Sequence, residues 1–310
     1  MGVFRRPLDN IEVIELFLER ALELDHNQYG DITNRILLAE LGVNEFEIKG
    51  QTLNETILRA AEFRKPMDRW SLRRQIITEL SEWSRLADDD EIKLGVGGAL
   101  PQTVLQSKRE AFVLIGLPAS GKSTLANSLS DDYGAIILDT DYAKRKLPEF
   151  HANLYGATVV NSESSAIIWG FGEKPNDVDD LSSICLQNGH NIVVPMIGSN
   201  PRKVFGFTNT LSQVGYEVHL ILVALSKKAA TIRAVDRFHR TGRYVPLGLI
   251  FDHYGNDPSL CYYYLKSKYL TNFKSVAAVV AFDGSYYCTD FTAGSPAERY
   301  EFKDLIMELP

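Results

Sequence analysis

The sequence predicts an α/β protein of the P-loop kinase type: a mostly parallel sheet covered by helices and preceded by a small all-helical domain. Three observations carry this. From Ala111 onward, strand-sized apolar runs alternate with helix-length segments, the pattern of a parallel sheet covered on both faces. The first strand runs directly into Gly116-Leu117-Pro118-Ala119-Ser120-Gly121-Lys122-Ser123, which fits G-x-x-x-x-G-K-S/T in full and opens a helix. Before residue 89 the apolar spacing is helical throughout.

In this leading region a first helix is expected after Asp9 as N-cap, with Ile14, Leu18, Ala21 and Leu22 on its apolar face. A second follows Asp31 and stops at Gly42, and a third opens with the capping box Thr52-Leu53-Asn54-Glu55. The fourth carries Leu72, Ile76, Leu80 and Trp83 on one stripe and Arg69, Arg73 and Arg74 on a basic side. Four such helices could close a bundle over residues 1–88. The acidic run Asp88-Asp89-Asp90 and the glycines of Gly95-Val96-Gly97-Gly98 then read as a linker, 89–110, ahead of a kinase domain at 111–310.

Strands are expected at 111–115, 135–139, 191–195, 216–225 and 277–283. Asn200-Pro201 opens one intervening helix and Gly215 closes it. Ser226 and Gly242 bound another, and Ser295-Pro296 with Glu298 opens the last.

Composition narrows the class. With 45% hydrophobic and 24% charged residues the chain has a globular balance, and its net charge of −7 offers no basic face to concentrate a nucleic acid. No apolar run reaches membrane-spanning length, and the N-terminus lacks a signal core, so a cytoplasmic protein without a membrane partner is expected. Cys185, Cys261 and Cys288 form no C-x-x-C pair and read as reduced core thiols. His151, His190, His219 and His253 share no zinc spacing, and Tyr262-Tyr263-Tyr264 with Tyr269 reads as helix packing.

The phosphate loop needs each of its parts. Gly116 and Gly121 let the backbone wrap an anion, while the amides of Ala119, Ser120, Gly121 and Thr124 lie where a loop and a helix N-terminus attract phosphate. Lys122 brings a mobile positive charge and Ser123 a hydroxyl for Mg²⁺, so ATP with Mg²⁺ is the expected ligand pair. Asp139 and Asp141 fall at the carboxyl end of the second strand, the edge at which open α/β sheets bind ligands. One could serve metal or loop geometry and the other, Asp141, could take the proton of an attacking hydroxyl. Either could equally be an N-cap. Arg233, Arg237, Arg240 and Arg243 cluster on and after one helix, either as a solvated face or as a lid that brings guanidinium groups to a transferring phosphate.

Three segments resemble the zeta toxin family, bacterial P-loop kinases of UDP-N-acetylglucosamine: Gly116 to Thr124, Leu138-Asp139-Thr140-Asp141 through Lys144 to Leu147-Pro148-Glu149-Phe150, and Glu163-Ser164-Ser165-Ala166-Ile167. A fourth, weaker likeness covers Thr231 to Pro246. The resemblance implies that Lys122 neutralises the transferring phosphate, Ser123 holds Mg²⁺ and Asp141 is the base; Asp139, from its place at the strand end, is a candidate second metal ligand. Arg237 and Arg243 would stabilise the transition state, and Asp141 and Glu163 would contact a nucleotide-sugar substrate. Where many relatives carry a polar run facing the sugar, this chain has Val194-Pro195-Met196-Ile197-Gly198. Other small-molecule or antibiotic P-loop phosphotransferases share the layout, and a non-catalytic ATP-dependent switch is a third reading. The resemblance further implies that residues 1–88 act as an antitoxin fused in cis, an intramolecular inhibitor; the alternative is a structural or oligomerising bundle.

Overall fold

The computed structural model describes residues 6–173, 175, 178–282 and 285–300. A helical region precedes the sheet, as expected. Its first helix, α1 (Ile11–Leu16), continues into a π-helical turn at Phe17–Ala21. Asn10, not Asp9, is its N-cap and accepts from the amides of Glu12 and Val13. After the short α2 (His26–Tyr29), α3 (Thr33–Lys49) runs straight through Gly42. That glycine serves close approach and not termination, because a Cβ there would lie 1.9 Å from Cδ1 of Tyr155.

The expected third helix is a loop with a 3-10 turn at Thr56–Leu58. The Thr52 amide that a capping box would offer to Glu55 donates instead to the Val159 carbonyl, at 3.0 Å. α4 (Pro66–Glu82) forms as expected, opened by proline in its first turn. Its basic side is divided: Arg74 is exposed, whereas Arg69 and Arg73 are buried.

These helices do not share one core. Leu72, Ile76, Ile77 and Leu80 of α4 join the main core around the sheet. Leu8, Phe17, Leu18, Ile36 and Val43 form a second core with Leu117 of the phosphate loop and with Ala230, Phe238, Tyr244 and Leu247.

Residues 89–110, expected as an open linker, are a packed connector. Ile92 and Ala99 are fully buried, and the Ala99 carbonyl accepts from the amide of Ile137 at 3.0 Å. A Cβ at Gly98 would lie 2.0 Å from the Trp83 carbonyl oxygen, so the glycine marks contact and not freedom. The buried Lys146 ammonium donates to Glu79 and to the carbonyls of Lys93, Val96 and Gly97, stitching α4, the connector and the following domain together.

The sheet has six strands in the order β2-β3-β1-β4-β5-β6. β1 (Glu110–Ile115) lies between β3 and β4, buried on both faces, which explains its uninterrupted apolar run. α5 (Lys122–Tyr133), β2 (Ile136–Ile137), α6 (Thr140–Lys146), α7 (Gly156–Val159), α8 (Asn161–Trp169) and α9 (Leu181–Asn188) follow before β3 (Ile192–Met196). α10 (Pro201–Gln213) is capped by Asn200, and after β4 (Glu217–Ala224) α11 (Lys227–Thr241) is capped by Ser226 and stopped by Gly242 at φ +72°, as the sequence implies. α12 (Asp257–Tyr269) buries Tyr262 but leaves Tyr263 and Tyr264 exposed, so only part of that tyrosine run packs.

β5 (Ser275–Phe282) completes the parallel set, and the unexpected β6 (Ser285–Phe291) pairs with it antiparallel. Asp283, the expected end of β5, lies outside the described residues, as does the segment after 300. The three cysteines are buried and form no disulfide. Among the described residues no helix is long and apolar enough to cross a membrane.

Candidate active site

β1 ends in the phosphate loop, whose shape depends on its residue types. Gly116 has no room for a side chain, since a Cβ would lie 2.6 Å from the Val223 carbonyl oxygen. Ala119 and Gly121 both have positive φ, +62° and +101°, which turns successive amides in an αL-containing concavity of the kind that binds anions. No side chain caps α5, so the donors of its first turn are not taken by an N-cap. Lys122 folds back and donates to the carbonyls of Gly116 and Leu117 at 2.8 and 2.6 Å. Burial lowers its pKa to about 7 against the pull of Asp139, so the loop holds a lysine in want of an anion.

The turn after β2 resolves the two carboxylates. Asp139 is the N-cap of α6 and accepts from the Asp141 amide at 2.8 Å. Burial raises its pKa, with Arg243, Arg145 and Lys144 acting in the opposite sense. Asp141, one turn in, accepts from Arg243 and lies 3.1 Å from the Lys144 ammonium. Burial lowers the pKa of that lysine to about 8.

α11 and the segment beyond Gly242 bring the arginines to the same place. Arg243 is held by Asp141, whereas the Nε of Arg237 is buried without a hydrogen-bond partner. A buried, unpaired guanidinium donor is costly unless a ligand completes it. Arg233 donates to the Ala281 carbonyl at 3.1 Å, and the Tyr286 hydroxyl donates to the Gly121 carbonyl at 2.5 Å, so the β5–β6 edge braces the phosphate loop.

Ala119, Gly121, Lys122, Ser123, Thr124, Asp139, Asp141, Arg237, Arg240 and Arg243 all line one cleft of about 1540 Å³. Gly116 and Ser120 shape the loop without lining the cleft. Ser123 and Thr124 are exposed. The Ser123 hydroxyl and the Asp139 carboxylate on one cleft wall are the donor types that fit Mg²⁺, which is commonly held by one or two protein oxygens together with phosphates.

Glu163 does not belong to this group. It is fully buried, absent from the cleft wall, and bonded to Arg69 at 2.7 and 2.5 Å and to Arg73 at 2.7 Å. Burial pushes its pKa up, but the hydrogen bonds from Arg69 and the charges of both arginines more than offset this and hold it at about 2. Arg69 also bonds Glu149. A carboxylate so neutralised has no capacity left for a substrate, which corrects the expectation of substrate contact.

Sequence reasoning also missed the acidic turn at Asp88–Asp90, which lines the cleft. Asp89 accepts from Tyr142 at 2.7 Å and Asn127 at 3.3 Å, and Asp90 from Arg145 at 2.6 Å. Only the charge run signalled it, and charge runs are usually solvated.

The sequence profile of the Zeta toxin family matches residues 98–256. Among solved structures, the chain is similar to one from the PezAT chromosomal toxin-antitoxin system of Streptococcus pneumoniae, at 16% identity and TM-score 0.44 over 66% of this chain and 81% of that one. It is similar to a chain of the AvrRxo1-ORF1:-ORF2 complex at 14% identity and TM-score 0.42, over 78% and 72%. A gluconokinase from Sinorhizobium meliloti 1021 is similar at 17% identity and TM-score 0.28, over 56% and 84%. No curated protein matches the chain. These structural likenesses are slight, and the assignment rests on the profile: with just over half of its length inside that match, the chain belongs to the Zeta toxin family.

Proposed function

We propose that the protein is an ATP-dependent phosphotransferase that acts on a hydroxyl of a nucleotide sugar of the UDP-N-acetylglucosamine type. The observation that carries this reading is the convergence on one cleft of the phosphate loop, Lys122, Asp141 and two arginines, one with an unpartnered buried Nε.

In the reaction the acceptor oxygen forms a bond to the γ-phosphorus, the bond from that phosphorus to the bridging oxygen of ADP breaks, and the acceptor proton passes to Asp141. Lys122 leaves the loop carbonyls to follow the phosphate, and Arg237 and Arg243 bind the charge that spreads over its oxygens. Ser123 and Asp139 would hold Mg²⁺, which neutralises the phosphates. Asp141 must exchange Arg243 for the acceptor hydroxyl before it can act, so the described arrangement is a resting one.

The leading helices restrain that exchange. Support comes from their grip on the arginine segment: Tyr244, beside Arg243, donates to Glu40, and Arg35 donates to the carbonyls of Phe238 and His239 at 3.4 and 3.3 Å. Lys228 pairs with Glu23, and Arg6 with Asp252. All these contacts come from residues 6–49. α4 instead supplies Arg69 and Arg73 to the main body and packs in the main core, so we assign the restraint to the segment before Gly50.

The test is to incubate the full chain with Mg²⁺, ATP and a panel of nucleotide sugars, identifying the product by mass and NMR. Transfer that is abolished in Asp141→Asn supports the reading. ATP binding with no transfer to any acceptor, and no dependence on Asp141, favours a nucleotide switch.

A further inference from the structure

The strand order divides the cleft into two halves. On one side of β1 lie β4, β5 and β6, with Arg233, Ala281, Ser285 and Tyr286 on the wall. On the other lie β3 and β2, with Asp139 and Asp141 at the end of β2. The phosphate loop stands between them. A cleft of about 1540 Å³ is larger than the roughly 300–1,000 Å³ of a typical single-ligand pocket, so a nucleotide bound on the β4–β6 side leaves the other half open.

That second half is unusual in its chemistry. Val194, Pro195, Met196 and Ile197 form its floor at the end of β3. Above them Trp169, the last residue of α8, meets Phe207 of α10 edge to face, with centroids 5.4 Å apart and planes at 85°. Trp169 is 37% exposed, yet it stands inside a concave wall. Sugar hydroxyls set against the Trp169 and Phe207 faces themselves would lose water without gaining partners there, whereas Thr158 and Asn161 in the same cleft can serve a sugar. A planar heterocycle would cover the indole and phenyl surfaces with no such loss. Lys203, exposed in the first turn of α10 on the same wall, supplies a positive charge beside them.

We infer that Trp169 and Phe207 are specificity-determining residues that bind the planar base of a nucleotide acceptor, with Lys203 reaching its phosphate. The base of the acceptor is therefore selected at this aromatic wall. This rests on the phosphotransferase reading for the word acceptor, but the binding itself does not. No covalent step is added.

The experiment uses the full chain with Mg²⁺ and a saturating non-hydrolysable ATP analogue, and titrates UMP, CMP, AMP, GMP and ribose 5-phosphate by calorimetry. At least one nucleoside monophosphate should bind about tenfold or more tightly than ribose 5-phosphate, the size of effect that base stacking gives. Trp169→Ala and Phe207→Ala should each weaken that nucleotide about tenfold while leaving the analogue's affinity unchanged, and Trp169→Phe should retain most of it. Lys203→Ala should weaken the monophosphate more than the corresponding nucleoside. Retained analogue binding reports that each variant is folded. Ribose 5-phosphate binding as tightly as every nucleotide overturns the inference, as does a Trp169→Ala chain that keeps full nucleotide affinity. Base-selective binding that depends on Trp169, in a protein that transfers no phosphate, would leave this site standing and remove the transferase.

Discussion

Arg243 donates to Oδ2 of Asp141 across 102 residues of sequence, so the expected transition-state arginine and the expected base neutralise one another. Each must be released for the other to work, and this coupling shapes the outcome of altering either.

Asp141→Asn should lower single-turnover phosphoryl transfer by about 10²–10⁴-fold while ATP affinity stays within about twofold. The amide is isosteric and leaves the cap made by Asp139 intact. Rapid-quench kinetics beside equilibrium nucleotide binding will measure both. If Asp139→Asn is crippling and Asp141→Asn harmless, the proton goes elsewhere.

Lys122 is the basis of a pH prediction. Its pKa in the free protein is about 7, and a bound polyphosphate raises it. Nucleotide binding therefore takes up a proton above pH 7, and affinity should fall about tenfold per pH unit from there until the complex itself deprotonates. Calorimetry in buffers of different ionisation enthalpy reads the proton directly. Lys122→Ala should abolish both the uptake and phosphoryl transfer.

Arg237 and Arg243 should act on kcat more than on ATP affinity when changed to lysine, whereas the exposed Arg240 should tolerate the same change. Equal losses of affinity with no loss of rate would make the first two ordinary ground-state contacts.

Arg69→Ala leaves Glu149 and Glu163 buried without their shared partner, a defect that costs about 3–5 kcal/mol. Urea unfolding at pH 7 should show it. Because the Glu163 pKa is depressed to about 2 from 4.5, its stabilisation is complete above the unfolded value and is lost as pH falls between the two. The wild-type chain should thus lose stability over that acid window more steeply than Glu163→Gln.

A chain beginning at Gly50 uncovers Leu117, Ala230 and Phe238 and should be less stable than the full chain but transfer phosphate faster, whereas one beginning at 89 should aggregate, because it also exposes the main core where α4 packs. In the full chain, Arg35→Ala with Glu40→Gln should give a milder activation. Unchanged rates in both the Gly50 chain and the double variant would assign residues 6–49 another task.

The legible parts of this molecule are those whose cause is local. The phosphate loop, β1, the Asn200 and Ser226 caps and the Gly242 stop each depend on neighbours within a few residues, and the residue types required are few. Gly42 and Gly98 misled because a glycine that ends a helix or loosens a linker looks the same as one that admits a tyrosine ring or a carbonyl. The buried partnerships of Arg69, Glu163, Asp90 and Glu40 were not legible, and Glu163 read as a substrate contact, since their partners lie tens to hundreds of positions away. β6 was hidden because its tyrosines, cysteine and acid do not make a clean apolar alternation.

The bond between Glu40 and Tyr244 joins positions 204 apart, and its direction along the chain has a temporal consequence. Ribosomal synthesis delivers α3 long before α11 and the arginines that complete the cleft. The residues that hold the arginine segment are already outside the exit tunnel when that segment appears, so a nascent chain does not pass through a stage with Arg237 and Arg243 in place and α3 still unmade. If the leading helices restrain the transferase as proposed, the order of codons alone puts the restraint in place before the cleft is complete.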